Sequence, residues 1–165
     1  MQKCDLLIKG ADVLINSGEL RENVDIAIAD GRILAVDADL AKQYEAGETI
    51  DGRYKLFMPG LVDSHMHTGQ QLLKGLVLDA KPIIWTRVML PFESTLTPEK
   101  MRLSAQAAAL EMIKSGTAGF IDAGSYFMED AAAVYEKSGL RGALSYSTMD
   151  EEGLPESIAM DANEA

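Results

Sequence analysis

The chain has 165 residues, of which 47% are hydrophobic and 25% are charged, a balance that suits one globular domain or two small ones. The 26 acidic residues outnumber the 15 lysines and arginines and set the net charge at −11, so the surface repels phosphate backbones and nucleic acid is not an expected partner. No run approaches the roughly 18 apolar residues of a membrane span, and the first residues lack the apolar core of a secretory signal. We therefore expect a cytoplasmic protein with no membrane partner. Because the single cysteine, Cys4, has no thiolate partner, any metal must be held by other ligands.

Residues 1–57 have the sequence pattern of a small β module. Their apolar runs are short, rich in β-branched residues and separated by turn signals, as strands are. One of these signals is Gly10, which predicts a turn between two strands. The strongest is Asp30-Gly31, because a two-residue type I′ turn needs positive φ at both positions. It predicts a hairpin of residues 24–29 with residues 32–36.

The pattern changes at residue 58, where apolar strand-like runs begin to alternate with helical periodicity, as in βα units over a parallel sheet. Thr97 and Pro98 are the N-cap and the first residue of a predicted helix that ends at Gly116. A second helix near residues 128–137 ends in the same Lys-Ser-Gly sequence, whose glycine suits the left-handed position after a helix. Two further strands are predicted, at residues 118–122 and 140–146. The sequence thus predicts an α/β architecture.

The sequence contains two histidines, His65 and His67, at the end of the first strand predicted after residue 58. Side chains at positions i and i+2 of a strand point to the same face, so the two imidazoles can converge on one cation. A His-x-His spacing is a weak signal, and a pair of polar histidines at a sheet rim is an equal alternative on spacing alone. The position of the two histidines favours a metal site over a polar rim, because α/β folds place their sites at the carboxyl ends of strands. Asp63 and Asp122, also near strand ends, are interpreted as caps and not as catalytic groups.

Five segments beyond residue 57 form a recognisable set of motifs. They are MPGLVDSHMHT at residues 58–68, LLKG at residues 72–75, LPFE at residues 90–93, LTPE at residues 96–99 and EMIKSGT at residues 111–117. The first segment resembles the first barrel strand of the amidohydrolase superfamily, the metal-dependent deaminases and hydrolases built on a TIM barrel. The whole series is similar to the methylthioadenosine/S-adenosylhomocysteine deaminase and chlorohydrolase branch. Residues 1–57 resemble the small sandwich that precedes the barrel in these enzymes, so the resemblance extends over nearly the whole chain.

The resemblance implies a fold and a domain organisation. Residues 1–57 would be a β-sandwich-like module, and residues 58–165 would be the first βα units of a TIM (β/α)8 barrel. A complete barrel needs about 250 residues and eight strands, so the barrel is incomplete in a chain of 165 residues. We therefore expect the N-terminal part of a longer enzyme, inactive alone and without a catalytic acid or base of its own.

The resemblance also implies an activity. His65 and His67 would be the first two ligands of one divalent metal, zinc or, alternatively, iron. Metal-activated water would deaminate a small molecule, either a purine nucleoside-like substrate or a related amino-heterocycle. Hydrolysis of a C–Cl bond or of another C–N bond uses the same attack and is an alternative. A second alternative, if 165 residues is the natural length, is a non-catalytic binding or assembly module. Its exposed strand edges would favour a homo-oligomer or a partner chain that supplies the rest of the barrel.

Two residues would contact the substrate. Glu93 matches the acidic residue that hydrogen-bonds ribose hydroxyls in the nucleoside-deaminating members, although the sequence alone favours a surface carboxylate that flanks a helix. Trp85 would line the substrate mouth, and the alternative favoured by the sequence is packing of a loop over the barrel. Tyr146 stands at the strand position where those members carry an arginine, and no arginine follows Arg141 in this chain. The resemblance therefore does not extend to adenosylhomocysteine as the specific substrate.

Overall fold

The computed structural model of the chain describes residues 1–77 and 83–150, together with residues 152, 154–161 and 163. The chain divides into two compact units, Met1–Pro59 and Gly60–Ala165. The strands are β1 (Gln2–Asn16), β2 (Glu19–Ala29), β3 (Arg32–Asp37), β4 (Tyr44–Asp51), β5 (Leu56–Phe57), β6 (Leu61–Met66), β7 (Thr117–Ser125) and β8 (Arg141–Tyr146). The α-helices are α1 (Leu90–Glu93), α2 (Pro98–Ser115) and α3 (Met128–Ser138). There are also two short 3₁₀ helices, Leu40–Lys42 and Thr68–Leu73, and a π-helical segment, Trp85–Met89.

The first unit is one mixed sheet with β1 at its centre. The strands lie in the order β3-β2-β1-β4, and the short β5 also pairs with β1. β1 runs antiparallel to β2 and parallel to β4 and β5. Leu7 and Ala27 are register partners in one apolar cluster, and the next pair, Ile8 and Ile26, lies in another. Because successive side chains of a strand point to opposite faces, apolar side chains cover both faces of the sheet at its centre.

Asp30 and Gly31 form the tight turn that the sequence predicts, and both have positive φ, 51° and 67°. β2 and β3 pair antiparallel on either side of this turn, which confirms the hairpin. The predicted turn at Gly10 is wrong, because β1 continues through this residue. Gly10 has a φ of 68°, and the pairing of β1 with β2 shifts register between Ile8 and Ala11. Positive φ at this glycine therefore makes a β-bulge and not a chain reversal.

In the described part of the second unit three parallel strands lie in the order β6-β7-β8. Along the chain α2 precedes β7 and α3 precedes β8. Thr97 caps α2 as predicted, because its hydroxyl accepts the Lys100 N–H at 3.3 Å. α2 ends at Gly116 with a φ of 81°, and α3 ends at Gly139 with a φ of 78°. The α/β class and both helix ends are confirmed. None of the helices in the described part of the chain combines the length and the apolar character that a membrane span requires.

The helices α2 and α3 cover one side of the parallel sheet. The buried members of the cluster that they form with β7 and with Leu96, which precedes α2, are Leu96, Met101, Ala105, Ala108, Ala109, Met112, Phe120, Met128, Ala131 and Tyr135. Within it the ring centroids of Phe120 and Tyr135 are 4.5 Å apart. The next residue of β7, Ile121, is half exposed, because it points to the other side of the strand. Since the three strands are parallel, their carboxyl ends lie at one edge, where α/β folds place their sites.

Candidate metal and substrate site

His65 and His67 lie at the carboxyl end of β6. The strand ends at Met66, and His67 continues it in an extended conformation with φ −134° and ψ 97°. The two imidazoles lie side by side, as predicted, with ring centroids 5.0 Å apart and ring planes at 81°. His65 is exposed and His67 is half-buried. In the part of the chain that the structure describes, no three His, Cys, Asp or Glu side chains are grouped so that they could hold a metal ion. The described part of the site therefore contains two neighbouring imidazoles.

Asp63 lies within β6 and Asp122 within β7, and each carboxylate accepts backbone N–H groups. Asp63 Oδ1 accepts the His65 N–H at 3.2 Å. Asp122 Oδ2 accepts the Thr68 N–H at 3.0 Å, and Asp122 Oδ1 accepts the Gly124 N–H at 2.8 Å. Thr68 was not predicted to have a role. Its partner Asp122 is 54 residues away along the chain, so no local pattern marks the pair.

Glu93 is the last residue of α1 and is buried, with 4% of its surface exposed. Its Oε1 accepts a hydrogen bond from Gln70 Nε2 at 2.6 Å, and its Oε2 accepts one from Ser125 Oγ at 2.7 Å. The interpretation of Glu93 as a surface carboxylate is therefore wrong. The reason is tertiary packing. Gly69 lets the 3₁₀ helix approach the end of β7, because a Cβ at Gly69 would lie only 2.8 Å from Ser125 Cβ.

His67, Trp85 and Glu93 line one cavity of about 300 Å³. The other residues that line it are Gln70, Ala123, Gly124, Tyr146, Ser147, Thr148 and Met149. Trp85 begins the π-helical segment, is 42% exposed and lies at the wall of this cavity, and the loop packing that the sequence favours stays a prediction. The structure thus brings three of the four predicted site residues to one cavity, and the fourth, His65, lies beside His67.

A second cavity, of about 270 Å³, shares Glu93 and Tyr146 with the first. Its other lining residues are Ser94, Leu96, Tyr126, Phe127, Ser157 and Ile158. Burial and the charge of Glu93 raise the pKa of Tyr126. Burial and the hydrogen bond to Glu129 raise the pKa of Tyr146, so both phenols are neutral near pH 7. Among the described residues that line the two cavities none is lysine or arginine, and the nearby charge is acidic.

Gln70 and Ser125 were not predicted as site residues. Both lie near the carboxyl ends of parallel strands, since Gln70 follows β6 and Ser125 is the last residue of β7. That position is a signal, because α/β folds collect their functional groups there. The signal does not tell which polar residues reach Glu93. Ser125 is 32 residues from Glu93 along the chain, and the two meet only because their elements pack together.

The site lies within a region that matches a known family. The model of the Amidohydrolase family matches residues 56–164. A 5'-deoxyadenosine deaminase of Methanothrix thermoacetophila is 38% identical over 141 residues, which are 85% of this chain and 33% of that protein. A 5-methylthioadenosine/S-adenosylhomocysteine deaminase of Thermococcus onnurineus is 37% identical over 161 residues, which are 97% of this chain and 37% of that protein.

A solved structure shares the fold of this chain. It is the crystal structure of an adenosine deaminase from Xanthomonas campestris with bound zinc, which matches with a TM-score of 0.84 and 27% identity over 99% of this chain and 38% of that chain. The chain therefore spans little more than a third of the length of the proteins it matches. The predicted fold class and the resemblance to the methylthioadenosine/S-adenosylhomocysteine deaminase branch are confirmed. Because the family model matches well over half of its residues, the chain belongs to the amidohydrolase family.

Proposed function

We propose that the whole protein containing this chain is a metal-dependent hydrolase that deaminates a purine nucleoside-like substrate or a related amino-heterocycle. The observation that carries the proposal is the cavity that His67, Trp85 and Glu93 line together, with His65 beside His67. The names of the two deaminase relatives support this class of substrate. In the reaction the oxygen of water replaces the amino group on a ring carbon, and ammonia leaves.

His65 and His67 would hold one divalent metal. Two imidazoles that share a tetrahedral cation at Zn–N distances of about 2.0–2.1 Å have ring centroids roughly 5 Å apart, and the separation here is 5.0 Å. Two ligands also leave positions for further ligands and for water. We propose zinc, with iron as the alternative, and the zinc bound to the Xanthomonas adenosine deaminase supports that choice. When bound, such a metal lowers the pKa of a coordinated water to about 7 and supplies hydroxide at neutral pH.

Glu93 would bind the hydroxyls of the sugar. Each carboxylate oxygen already accepts one hydrogen bond, from Gln70 or from Ser125, and each keeps a second lone pair for a substrate donor. Because those two bonds hold the carboxylate in place, it meets a pair of neighbouring hydroxyls without reorganising. Trp85 lines the same cavity, and its ring face would stack on the purine.

The proposal includes an architecture. Residues 1–57 would form the β-sandwich-like module, and residues 58–165 would form the N-terminal part of a TIM barrel. The apolar residues Val62 of β6 and Ile121 of β7 are exposed here, which supports a barrel, since a barrel interior is filled by branched apolar side chains. A cytoplasmic location, self-association, C–Cl hydrolysis and a non-catalytic role stay predictions.

Replacement of the two histidines tests the metal assignment. In the whole protein His65→Ala and His67→Ala should each remove the bound metal and slow deamination more than about 100-fold, since losing even the groups that orient a metal ligand costs about 10–100-fold. Lys114→Ala is the control, because Lys114 is exposed on α2 and its loss should leave metal content unchanged. Elemental analysis measures the metal, and ammonia release from adenosine-type nucleosides measures activity. Full metal content in both histidine variants would refute the assignment.

Replacement of the buried carboxylate tests the substrate assignment. Glu93→Gln conserves volume and removes the charge, so KM for nucleosides should rise by about 10–100-fold, the range of a charged hydrogen bond. KM for the free base should stay within about twofold, because the base has no sugar hydroxyl to lose a bond. Glu99→Gln makes the same change at an exposed site on α2 and should affect neither. Equal effects of Glu93→Gln on nucleoside and base would argue against sugar contact, and turnover of a chlorotriazine alone would favour C–Cl hydrolysis.

A further inference from the structure

We propose that the hydrogen bonds between Thr68 and three partners, Asp122, Tyr135 and Ser104, here called the Thr68 clamp, position His67 for metal binding; this inference rests on the proposed function. Thr68 directly follows His67 and begins the 3₁₀ helix Thr68–Leu73. The ladder between β6 and β7 ends at the pair of Met66 with Asp122. Strand pairing therefore stops one residue before His67, and other bonds must fix the chain beyond it.

Every polar group of Thr68 takes part in a hydrogen bond of the Thr68 clamp. The N–H donates to Asp122 Oδ2 at 3.0 Å, and Oγ1 donates to the same oxygen. Oγ1 also lies 2.6 Å from the hydroxyl oxygen of Tyr135. Because the single proton of Oγ1 is already donated to Asp122, the phenol is the donor in this bond. The carbonyl oxygen of Thr68 accepts from Ser104 Oγ at 2.6 Å. The residue after His67 is thus tied to β7, α2 and α3 at once.

All members of the Thr68 clamp are shielded from water. Thr68 and Ser104 are fully buried, and Asp122 and Tyr135 are each 2% exposed. Burial, together with the nearby Asp122 carboxylate, raises the pKa of Tyr135 to about 12, so the phenol keeps the proton that it donates to Thr68. The Asp122 carboxylate is itself fixed by the Gly124 N–H. Hydrogen bonds to a charged group in such surroundings are strong and directional.

The two histidines depend on the Thr68 clamp to different degrees. His65 lies within β6, and its N–H is bound by Asp63. His67 lies past the strand, and one peptide unit joins it to Thr68, so a shift of Thr68 moves the His67 imidazole away from His65. A metal site tolerates errors of only about 0.2 Å in its ligand distances. Loss of the Thr68 clamp should therefore weaken metal binding more than its effect on folding explains.

A pair of substitutions at Thr68 in the whole protein separates the hydroxyl from the shape of the side chain. Thr68→Val keeps the shape and removes the hydroxyl, whereas Thr68→Ser keeps the hydroxyl. The Kd for zinc, measured by competition with a chromophoric chelator, should rise by about 10–100-fold in Thr68→Val and stay within about threefold of the parent in Thr68→Ser. If Thr68→Val does not fold, Tyr135→Phe removes one donor from the Thr68 clamp and should raise the Kd for zinc by about tenfold.

Met101→Ala is the control for lost stability. Met101 is fully buried in the apolar cluster that α2 and α3 form with β7, and it is not a member of the Thr68 clamp. Its replacement should therefore lower Tm and leave the Kd for zinc within about threefold of the parent. The inference is overturned if Thr68→Val, or Tyr135→Phe in its place, binds zinc as the parent does, or if Met101→Ala weakens zinc binding equally. If the parent binds no zinc, or if His67→Ala binds it as tightly as the parent, the proposed function fails and the inference fails with it.

Discussion

Successive residues of a central strand are buried differently in the two units. In the first unit Leu7 and Ile8 follow each other along β1, and each is 3% exposed in its own apolar cluster. In the second unit Phe120 and Ile121 follow each other along β7 and are 3% and 50% exposed. Apolar side chains thus cover both faces of β1, whereas β7 has its apolar packing on the side of the helices.

The difference between the units matches the position of the predicted site residues. All four predicted site residues lie in that unit, and the first unit contains none of them. Because side chains alternate along a strand, the positions that face α2 and α3 build the core and the others stay available. Polar contacts to β7 then hold residues of other elements, since Ser125 binds Glu93 of α1 and Asp122 binds Thr68, which follows β6.

The largest effect on stability is expected from breaking the helix-side core. Phe120→Ala should lower the free energy of unfolding by about 3–5 kcal/mol, because the ring is buried and its centroid lies 4.5 Å from the ring centroid of Tyr135. Trp85 is the single tryptophan of these 165 residues, so its fluorescence in a urea titration of this chain reports on the second unit. A loss below about 1 kcal/mol would contradict a core on this side of β7.

Leu7→Ala is the matched change in the first unit, since Leu7 is as buried as Phe120. It should lower the free energy of unfolding by about 2–5 kcal/mol, measured by circular dichroism of the sheet. The Trp85 fluorescence transition should not move. A shift of that transition by the same amount would show that both units unfold together, and it would contradict the view that each unit is stabilised by its own core.

A smaller effect on stability is expected from the buried polar contacts of the second unit, and unlike the effect of the apolar core it depends on pH. Burial raises the pKa of Tyr135 to about 12, above the value of about 10 in an unfolded chain. The folded state therefore holds the phenolic proton more tightly. The resulting stability is fully present below about pH 10 and is lost as the pH rises to about 12. At 1.36 kcal/mol per pKa unit the loss is about 2–3 kcal/mol.

Tyr135→Phe should remove this pH dependence. At pH 8 the variant should be less stable than the parent by about 1 kcal/mol, because the hydrogen bond to Thr68 is lost. Near pH 12 the order should reverse, since phenylalanine has no proton to lose. Urea unfolding of both proteins at the two pH values measures the difference. A difference that stays constant with pH would contradict the assignment of a raised pKa to Tyr135.

Local signals predicted the elements of both units. Asp30-Gly31 marked the hairpin turn and Thr97 marked the start of α2, and both are confirmed. Such signals work because they depend on a few neighbouring residues, through positive φ at a turn or an unsatisfied N–H at a helix start. The prediction at Gly10 failed because positive φ serves a turn and a bulge equally, and the pairing of β1 with β2 decides between them.

The site was predictable in its residue types and less so in its surroundings. The spacing of His65 and His67 predicted neighbouring imidazoles, because alternation along a strand is a local property. The burial of Glu93 was not predictable, since it depends on Gly69 and Ser125, which belong to other elements. The periodicity of a sequence does not specify how closely the 3₁₀ helix approaches the end of β7.

The sequence by itself determined the strand and helix alternation, the paired histidines and the resemblance to the amidohydrolase superfamily, because each rests on residues close together in the chain. Only the tertiary structure decided that His67, Trp85 and Glu93 share a cavity and that Thr68 is bound by Asp122, 54 residues away. The physical reason is that hydrogen bonds and cavities depend on distances between packed elements. Those distances are set by the volumes of side chains that meet in the core, and a linear pattern does not specify them.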